Sequence, residues 1–302
     1  MATLRNTTIL SELTVKKAMR RQIVKLPPEA SLTQCIRHLI KFRVNGLLVS
    51  DKEEAITGVV SKTDIMGAFY AGLPIEGPVS DIMSSPPIFC REEESLEQVL
   101  STMRESRVYR LYVHNSMERV SGVIAYPDIV GLLYTYCREC PQSRWQHSRR
   151  SGVSKEVRRF KVREIMTLSV TKFGDDDTLA SIMEGLSANR IGAVLIRDHE
   201  GRPVGVVSKT DLILAYLHGI TTEAEAQQIM NTPVQRVDQE ECLENALQQL
   251  IFSQLHRIFV FKEAEDNIVG VLSLSDAARM RSGSCQACIM SRIRLEAGNA
   301  QE

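Results

Sequence analysis

The sequence predicts an α/β protein, with helices and strands mixed in the α+β manner inside each of four copies of one small repeat. Three observations carry that prediction. A seven-residue string, Gly58 Val59 Val60 Ser61 Lys62 Thr63 Asp64, returns unchanged at residues 205–211. Looser copies stand at residues 270–276 and 122–128, the last with Ala125 where the others carry serine. The closing aspartates, Asp64, Asp128, Asp211 and Asp276, are 64, 83 and 65 residues apart, and the halves are offset by 147 or 148, so a tandem pair has been duplicated as a pair.

Each repeat opens on a short lead ending in methionine: Val15 to Met19, Val79 to Met83, Val162 to Met166 and Ala226 to Met230. These read as one helical turn. A brief extended piece follows, at Ile23 to Leu26, Pro87 to Phe89, Ser169 to Lys172 and Pro233 to Arg236. Next comes a helix whose apolar residues fall at i, i+3, i+4 and i+7: Leu32, Cys35, Ile36, Leu39; Leu96, Val99, Leu100, Met103; Leu179, Ile182, Met183, Leu186; and Leu243, Ala246, Leu247, Leu250. That spacing puts one apolar stripe on each helix and assigns it to the core. Ser31, Ser95 and Asp177 stand near the helix starts, where a side-chain oxygen can accept from unpaired backbone N–H groups.

Two strand-like runs come next, Leu47 to Val49 and its counterparts at Leu111 to Val113, Val194 to Ile196 and Ile258 to Val260, each turning back into the motif strand. The motif aspartate then begins a second helix. One repeat therefore reads as helical turn, strand, helix, strand, strand, helix. About 60 residues bury too little surface to be comfortable alone, so the repeats are expected to pair, the short steps marking the partners within each half.

Composition narrows the class. The chain has 302 residues, 43% apolar and 25% charged, which suits ordinary folded domains and argues against disorder. The first residues lack a basic-then-apolar signal pattern and no run approaches about 18 apolar residues, so a cytoplasmic location and no membrane partner are expected. Formal net charge is zero, which gives no general attraction to nucleic acid. The six histidines are scattered and no paired carboxylates emerge, so catalytic machinery is not expected.

The repeated GxxSxxD string, with the same lead and element order before each copy, resembles the cystathionine-β-synthase-type (CBS) domain, and the four repeats look like two tandem Bateman modules. The resemblance covers about Val15 to Tyr136 and Val162 to Arg281. It divides the chain into a lead at 1–14, repeats at 15–73, 79–136, 162–219 and 226–281, a linker at 137–161 and a tail at 282–302, and it implies that the modules pack as a compact, pseudo-symmetric disc. It also implies a ligand: in the family the Ser or Thr binds phosphate and the Asp binds the ribose hydroxyls of an adenine nucleotide or adenosyl compound. By that resemblance the phosphate role falls on Ser61, Ser208 and Ser273, and the ribose role on Asp64, Asp128, Asp211 and Asp276. Lys62 and Lys209 follow the serines directly and can add charge.

The chemistry agrees: hydroxyls and N–H groups at a strand-to-helix turn suit phosphate, and a carboxylate accepts from vicinal hydroxyls. Helix capping is the competing role for the same residues. Repeat two departs from the pattern, since Ala125 lacks the hydroxyl and Pro127 lacks an N–H; its site is expected to be weak or empty. Before the middle strand, repeats one and three carry Asn45 Gly46 and Gly192 Ala193, while two and four carry Tyr109 Arg110 and His256 Arg257. A planar guanidinium at Arg110 or Arg257 matches a phosphate; a solvated or interface arginine is the alternative.

Two CxxC pairs, Cys137/Cys140 and Cys285/Cys288, are separated by the same 148 residues as the halves. Should they meet, four thiolates would suit one zinc ion or an iron–sulfur cluster; two redox dithiols, or thiols without a role, are the competing readings. The linker from Arg144 to Arg163 is basic, with Arg149, Arg150, Lys155, Arg158, Arg159 and Lys161. A solvated linker is the default there, and a phosphate-rich partner the sharper alternative. The reading that results is a regulatory adenine-nucleotide sensor (AMP, ADP, ATP or an adenosyl ligand) acting on an effector protein, with a homodimer possible. The alternative is a metal- or redox-responsive protein with vestigial clefts.

Overall fold

A computed structural model describes residues 9–117, 119–139 and 159–279. Every repeat builds one three-stranded sheet of the same topology. In repeat one, β1 (Lys25–Leu26) runs parallel to β2 (Gly46–Ser50), which turns back antiparallel to β3 (Ile56–Ser61). Repeat two repeats this with β4 (Phe89–Arg91), β5 (Arg110–His114) and β6 (Val120–Ala125). Repeat three uses β7 (Lys172–Gly174), β8 (Ala193–Arg197) and β9 (Pro203–Ser208), and repeat four β10 (Arg236–Asp238), β11 (Arg257–Lys262) and β12 (Ala264–Ser273). A parallel pair needs a crossover. The striped helices supply it, at Leu32–Lys41, Leu96–Glu105, Leu179–Ala188 and Leu243–Phe252.

All sixteen stripe residues named above are buried, as the periodicity requires. The helix starts divide by residue. Ser31 and Ser95 each close a capping box with a glutamine three residues on, Gln34 and Gln98. At the third helix the cap is Thr178, accepting from the Ser181 N–H, while the expected Asp177 accepts from Gly174 N–H at 2.7 Å instead. Its position, one residue too early, decides that. The first strands also begin later than the apolar pattern suggests in repeats two to four, because pairing with the middle strand sets their register, as in Arg236 opposite Phe259. A short helix at Ile9–Glu12, not anticipated in the lead, buries Leu10.

The chain forms two compact units, each taking one repeat from either half. Residues 22–88 and 170–235 make one, where repeats one and three share a core that includes Ile36, Leu39, Ile182, Leu186, Ile65 and Leu212. Helices Lys62–Tyr70 and Lys209–Leu217 meet there, with the Phe69 and Tyr216 rings stacked at 4.9 Å. The described residues of 1–21, 89–169 and 236–302 make the other, where repeats two and four share a core around Val99, Met103, Ile129, Leu247, Leu250 and Ile258.

The tandem relationship within each half is expressed through the leads, which are exchanged. Val15 of the first lead is buried with repeat two, and Val79 of the second lead with repeat one. Val162 and Ala226 repeat the exchange with repeats four and three. The methionine closing each lead lies against the motif glycine of the receiving repeat. A Cβ added at Gly58 would stand 2.6 Å from Met83 Sδ, at Gly205 2.5 Å from Met230 Sδ, at Gly270 2.7 Å from Met166 Sδ, and at Gly122 3.0 Å from Met19 Sδ. The motif therefore needs glycine for close approach of a neighbouring chain segment.

Candidate functional site

The strand-to-helix turns place the motif residues. Ser61 is both the last residue of β3 and the N-cap of helix Lys62–Tyr70, with extended backbone (φ −118°, ψ 168°). Its hydroxyl accepts from Thr63 N–H at 3.2 Å and donates to Asp64 Oδ2 at 2.7 Å. The same oxygen accepts the Ser61 N–H at 2.7 Å. Ser208 and Asp211 repeat this geometry at 3.2, 2.7 and 2.7 Å. In repeat four, Ser273 N–H and Oγ–H donate to Asp276 Oδ2 at 2.9 and 2.5 Å, with Ser275 Oγ also 2.7 Å from Ser273 Oγ. Repeat two keeps only the backbone part, Ala125 N–H to Asp128 Oδ2 at 2.8 Å.

Helix capping, the competing role for these residues, is thus realised in full at repeats one and three, and at repeat four, where Asp276 N–H also donates to Ser273 Oγ at 3.3 Å. It commits one carboxylate oxygen of each aspartate to its own turn and leaves the other, Oδ1, for an outside partner. Asp211 Oδ1 accepts from Asn231 Nδ2 at 2.7 Å, and Asp128 Oδ1 pairs with Arg20 Nε at 2.8 Å. Neither Asn231 nor Arg20 was anticipated. The available signal is that each directly follows a lead methionine.

The two lysines are engaged with each other's repeat. Lys62 Nζ donates to Thr210 Oγ1 at 2.8 Å and Lys209 Nζ to Thr63 Oγ1 at 2.9 Å. Both bonds lie inside the compact unit of repeats one and three.

Arg110 and Arg257 open their middle strands directly opposite the motif position, Arg110 across from Ala125 and Arg257 across from Ser273. Gly46 and Ala193 occupy the same register position opposite Ser61 and Ser208. The fold thus collects both arginines in the compact unit of repeats two and four. Burial lowers both guanidinium pKa values, opposed at Arg110 chiefly by Tyr112 and at Arg257 by Tyr109 and Asp276. Tyr109 lies edge-on to His256, its hydroxyl 3.3 Å from Nδ1. Its phenol is pushed up to about 12 by burial, against the pull of Arg257 and Arg110. The buried Tyr112 hydroxyl is near Arg110 electrostatically, but has no partner in hydrogen-bond geometry among the described residues.

Of the cysteines in the CxxC pairs, Cys140, Cys285 and Cys288 lie outside the described residues, as does the side chain of Cys137. Cys35 and Cys90 are buried, and burial pushes each thiol up to about 12. Away from the turns, Asp175, Asp176 and His199 bring one ligand atom each within 4.8 Å of one another on a largely exposed surface. Among the described residues no helix is long and apolar enough to cross a membrane.

Comparison with known proteins adds the following. The family model described as "CBS domain" matches residues 15–71, 79–135, 162–218 and 226–283. An uncharacterised protein of Methanocaldococcus jannaschii, MJ1225, is 24% identical over 200 residues, which is 66% of this chain and 68% of that protein. An uncharacterised 33.4 kDa protein of Thermofilum pendens is 23% identical over 61% of this chain and 58% of its own length. The crystal structure of MJ1225 superposes with a TM-score of 0.73 at 16% identity, covering 89% of this chain and 99% of that one. An uncharacterised conserved protein from Pyrococcus horikoshii gives 0.58, again at 16% identity, covering 89% of this chain and 100% of that one.

Proposed function

Because the chain belongs to the CBS-domain family, we propose that it is a regulatory, non-catalytic protein binding an adenine nucleotide or related adenosyl ligand at its Ser-x-x-Asp turns. The four repeats, bounded at 15–73, 79–136, 162–219 and 226–281, would act as the sensing elements, read by an effector protein. One observation carries the reading. In repeats one, three and four the same turn gathers a serine hydroxyl, a backbone N–H and an aspartate whose second oxygen is not used by the turn itself. A scaffold needs only the cap.

The chemistry asked of each group follows. A ribose diol donates to Asp64 or Asp276 Oδ1, the oxygen the cap leaves over, and at Asp211 to the remaining lone pair of an Oδ1 that already accepts from Asn231 Nδ2. A phosphate oxygen accepts the serine Oγ–H, drawing it from Oδ2, while the Thr63 and Thr210 N–H groups keep the helix start electropositive. In repeat four Arg257, opposite Ser273, supplies a full positive charge. Bound ligand then shifts any conformational equilibrium by the difference in its affinity for the two states, and by no more.

Calorimetric titration with adenosine, AMP, ATP and S-adenosylmethionine tests the reading. Heat is expected with at least one, weakened about tenfold or more by Asp64→Asn or Asp211→Asn, the equivalent of one lost hydrogen bond to a charged group. Absence of heat with all four ends it.

A further inference from the structure

The four motif aspartates are not equally available, and the difference lies one residue beyond each lead methionine. Arg20, Ser84, Thr167 and Asn231 follow Met19, Met83, Met166 and Met230. Each forms an isolated antiparallel bridge to the motif strand of the receiving repeat: Arg20 to Val123, Ser84 to Val59, Thr167 to Val271 and Asn231 to Val206. Both backbone hydrogen bonds are made in every case, at 2.9 to 3.0 Å. In every repeat the bridged valine stands five residues before the motif aspartate. The four side chains therefore start from equivalent backbone positions and differ in their chemistry.

Ser84 and Thr167 make no side-chain hydrogen bond to Asp64 or Asp276 among the described residues. Asn231 gives one neutral N–H to Asp211 Oδ1 at 2.7 Å. Arg20 gives a charged Nε–H to Asp128 Oδ1 at 2.8 Å, and the Asp128 side chain is only 10% exposed. With Oδ2 held by Ala125 N–H, both oxygens of Asp128 are committed.

We infer that Arg20 is an internal occupant of the repeat-two turn, a specificity-determining residue that stands where a ligand hydroxyl would bind and closes that turn to ligand. The inference rests on the proposed ligand role of the motif aspartates. A neutral hydroxyl cannot replace the guanidinium without removing the leading counter-charge of a partly buried carboxylate, which is why displacement is disfavoured. The Ala125 substitution removes the attraction that would drive such displacement. The two changes act together: one deletes a ligand contact and the other fills the space at the second.

The experiment rebuilds repeat two from the residues its sister repeats use. AMP is titrated by calorimetry into the wild-type chain, Arg20→Ser and Arg20→Ser with Ala125→Ser, with thermal melts confirming that each variant folds. Arg20→Asn, which copies Asn231, serves if the serine variant melts early. One additional AMP per chain in the Arg20→Ser/Ala125→Ser variant, removed again by Asp128→Asn, supports the inference. Unchanged stoichiometry in the folded double variant overturns it while leaving the nucleotide reading intact. If the wild type binds no AMP, a site gained in the double variant still supports the occupant role; no AMP bound by either overturns that role, and the nucleotide reading falls with it only when adenosine, ATP and S-adenosylmethionine give no heat as well.

Discussion

The Lys62 ammonium donates to the Thr210 hydroxyl at 2.8 Å, and Lys209 returns the same bond to Thr63 at 2.9 Å, so repeats one and three clasp each other through residues 148 and 146 positions apart. The motif's fifth and sixth letters, lysine and threonine, thus have an internal use. Both lysines begin a helix, where a positive charge meets the positive end of the helix dipole. The threonine oxygens offset that cost.

Thr210→Val keeps the volume and removes the acceptor. It is expected to lower stability by about 1 kcal/mol, a typical value for one hydrogen bond of this exposure. In a double-mutant cycle with Lys62→Met the two losses should fall short of additivity, since each removes the same bond. Urea denaturation of the four proteins measures this, and strict additivity would show that the pair is not coupled.

The motif glycines make a second prediction. A Cβ at Gly205 would stand 2.5 Å from Met230 Sδ and 2.8 Å from its Cγ, both on a flexible side chain. At Gly122 the nearest atom is the Arg20 carbonyl oxygen, 2.7 Å away and fixed by its bridge to Val123. Each alanine should cost about 1–3 kcal/mol through overpacking. Met230→Ala should recover part of the Gly205→Ala loss, whereas Met19→Ala should recover little at Gly122. Denaturant midpoints decide; equal rescue at both would refute the backbone argument.

A third concerns pH. Burial holds the Asp128 carboxyl above the ordinary carboxylate range, although Arg20, the Ala125 N–H and Arg110 all pull it down. Stability linked to this group is therefore full below its unfolded-state pKa and falls as pH rises through the native value. Arg20→Ser removes the leading counter-charge, so its destabilisation should be about 1 kcal/mol near neutral pH and shrink once acid neutralises the carboxyl. Thermal melts of wild type and variant across that range test the sign. A penalty that grows toward acid contradicts it.

The helices were legible residue by residue. Leu32, Cys35, Ile36 and Leu39 are buried because a 3.6-residue period commits them to one face wherever the helix packs. The capping serines were equally readable, while Asp177 misled because one position decides which side chain meets which N–H. In the site, Ser61, Asp64, Ser208, Asp211, Ser273 and Asp276 are joined by bonds spanning three residues, and proximity in the chain was enough to find them.

By itself the amino-acid order determined four repeats, from a string that recurs 64 to 83 residues on, and within each repeat the element order, the helix stripe and the composition of the turn, which are products of spacing within a dozen residues. The tertiary structure alone decided that repeats one and three share one core and two and four another, that each lead methionine rests on another repeat's glycine, and that Arg20 reaches Asp128. The physical reason is range. Periodicity tells a residue which way to face, and only closure of the chain between segments far apart in the sequence tells it what it will meet.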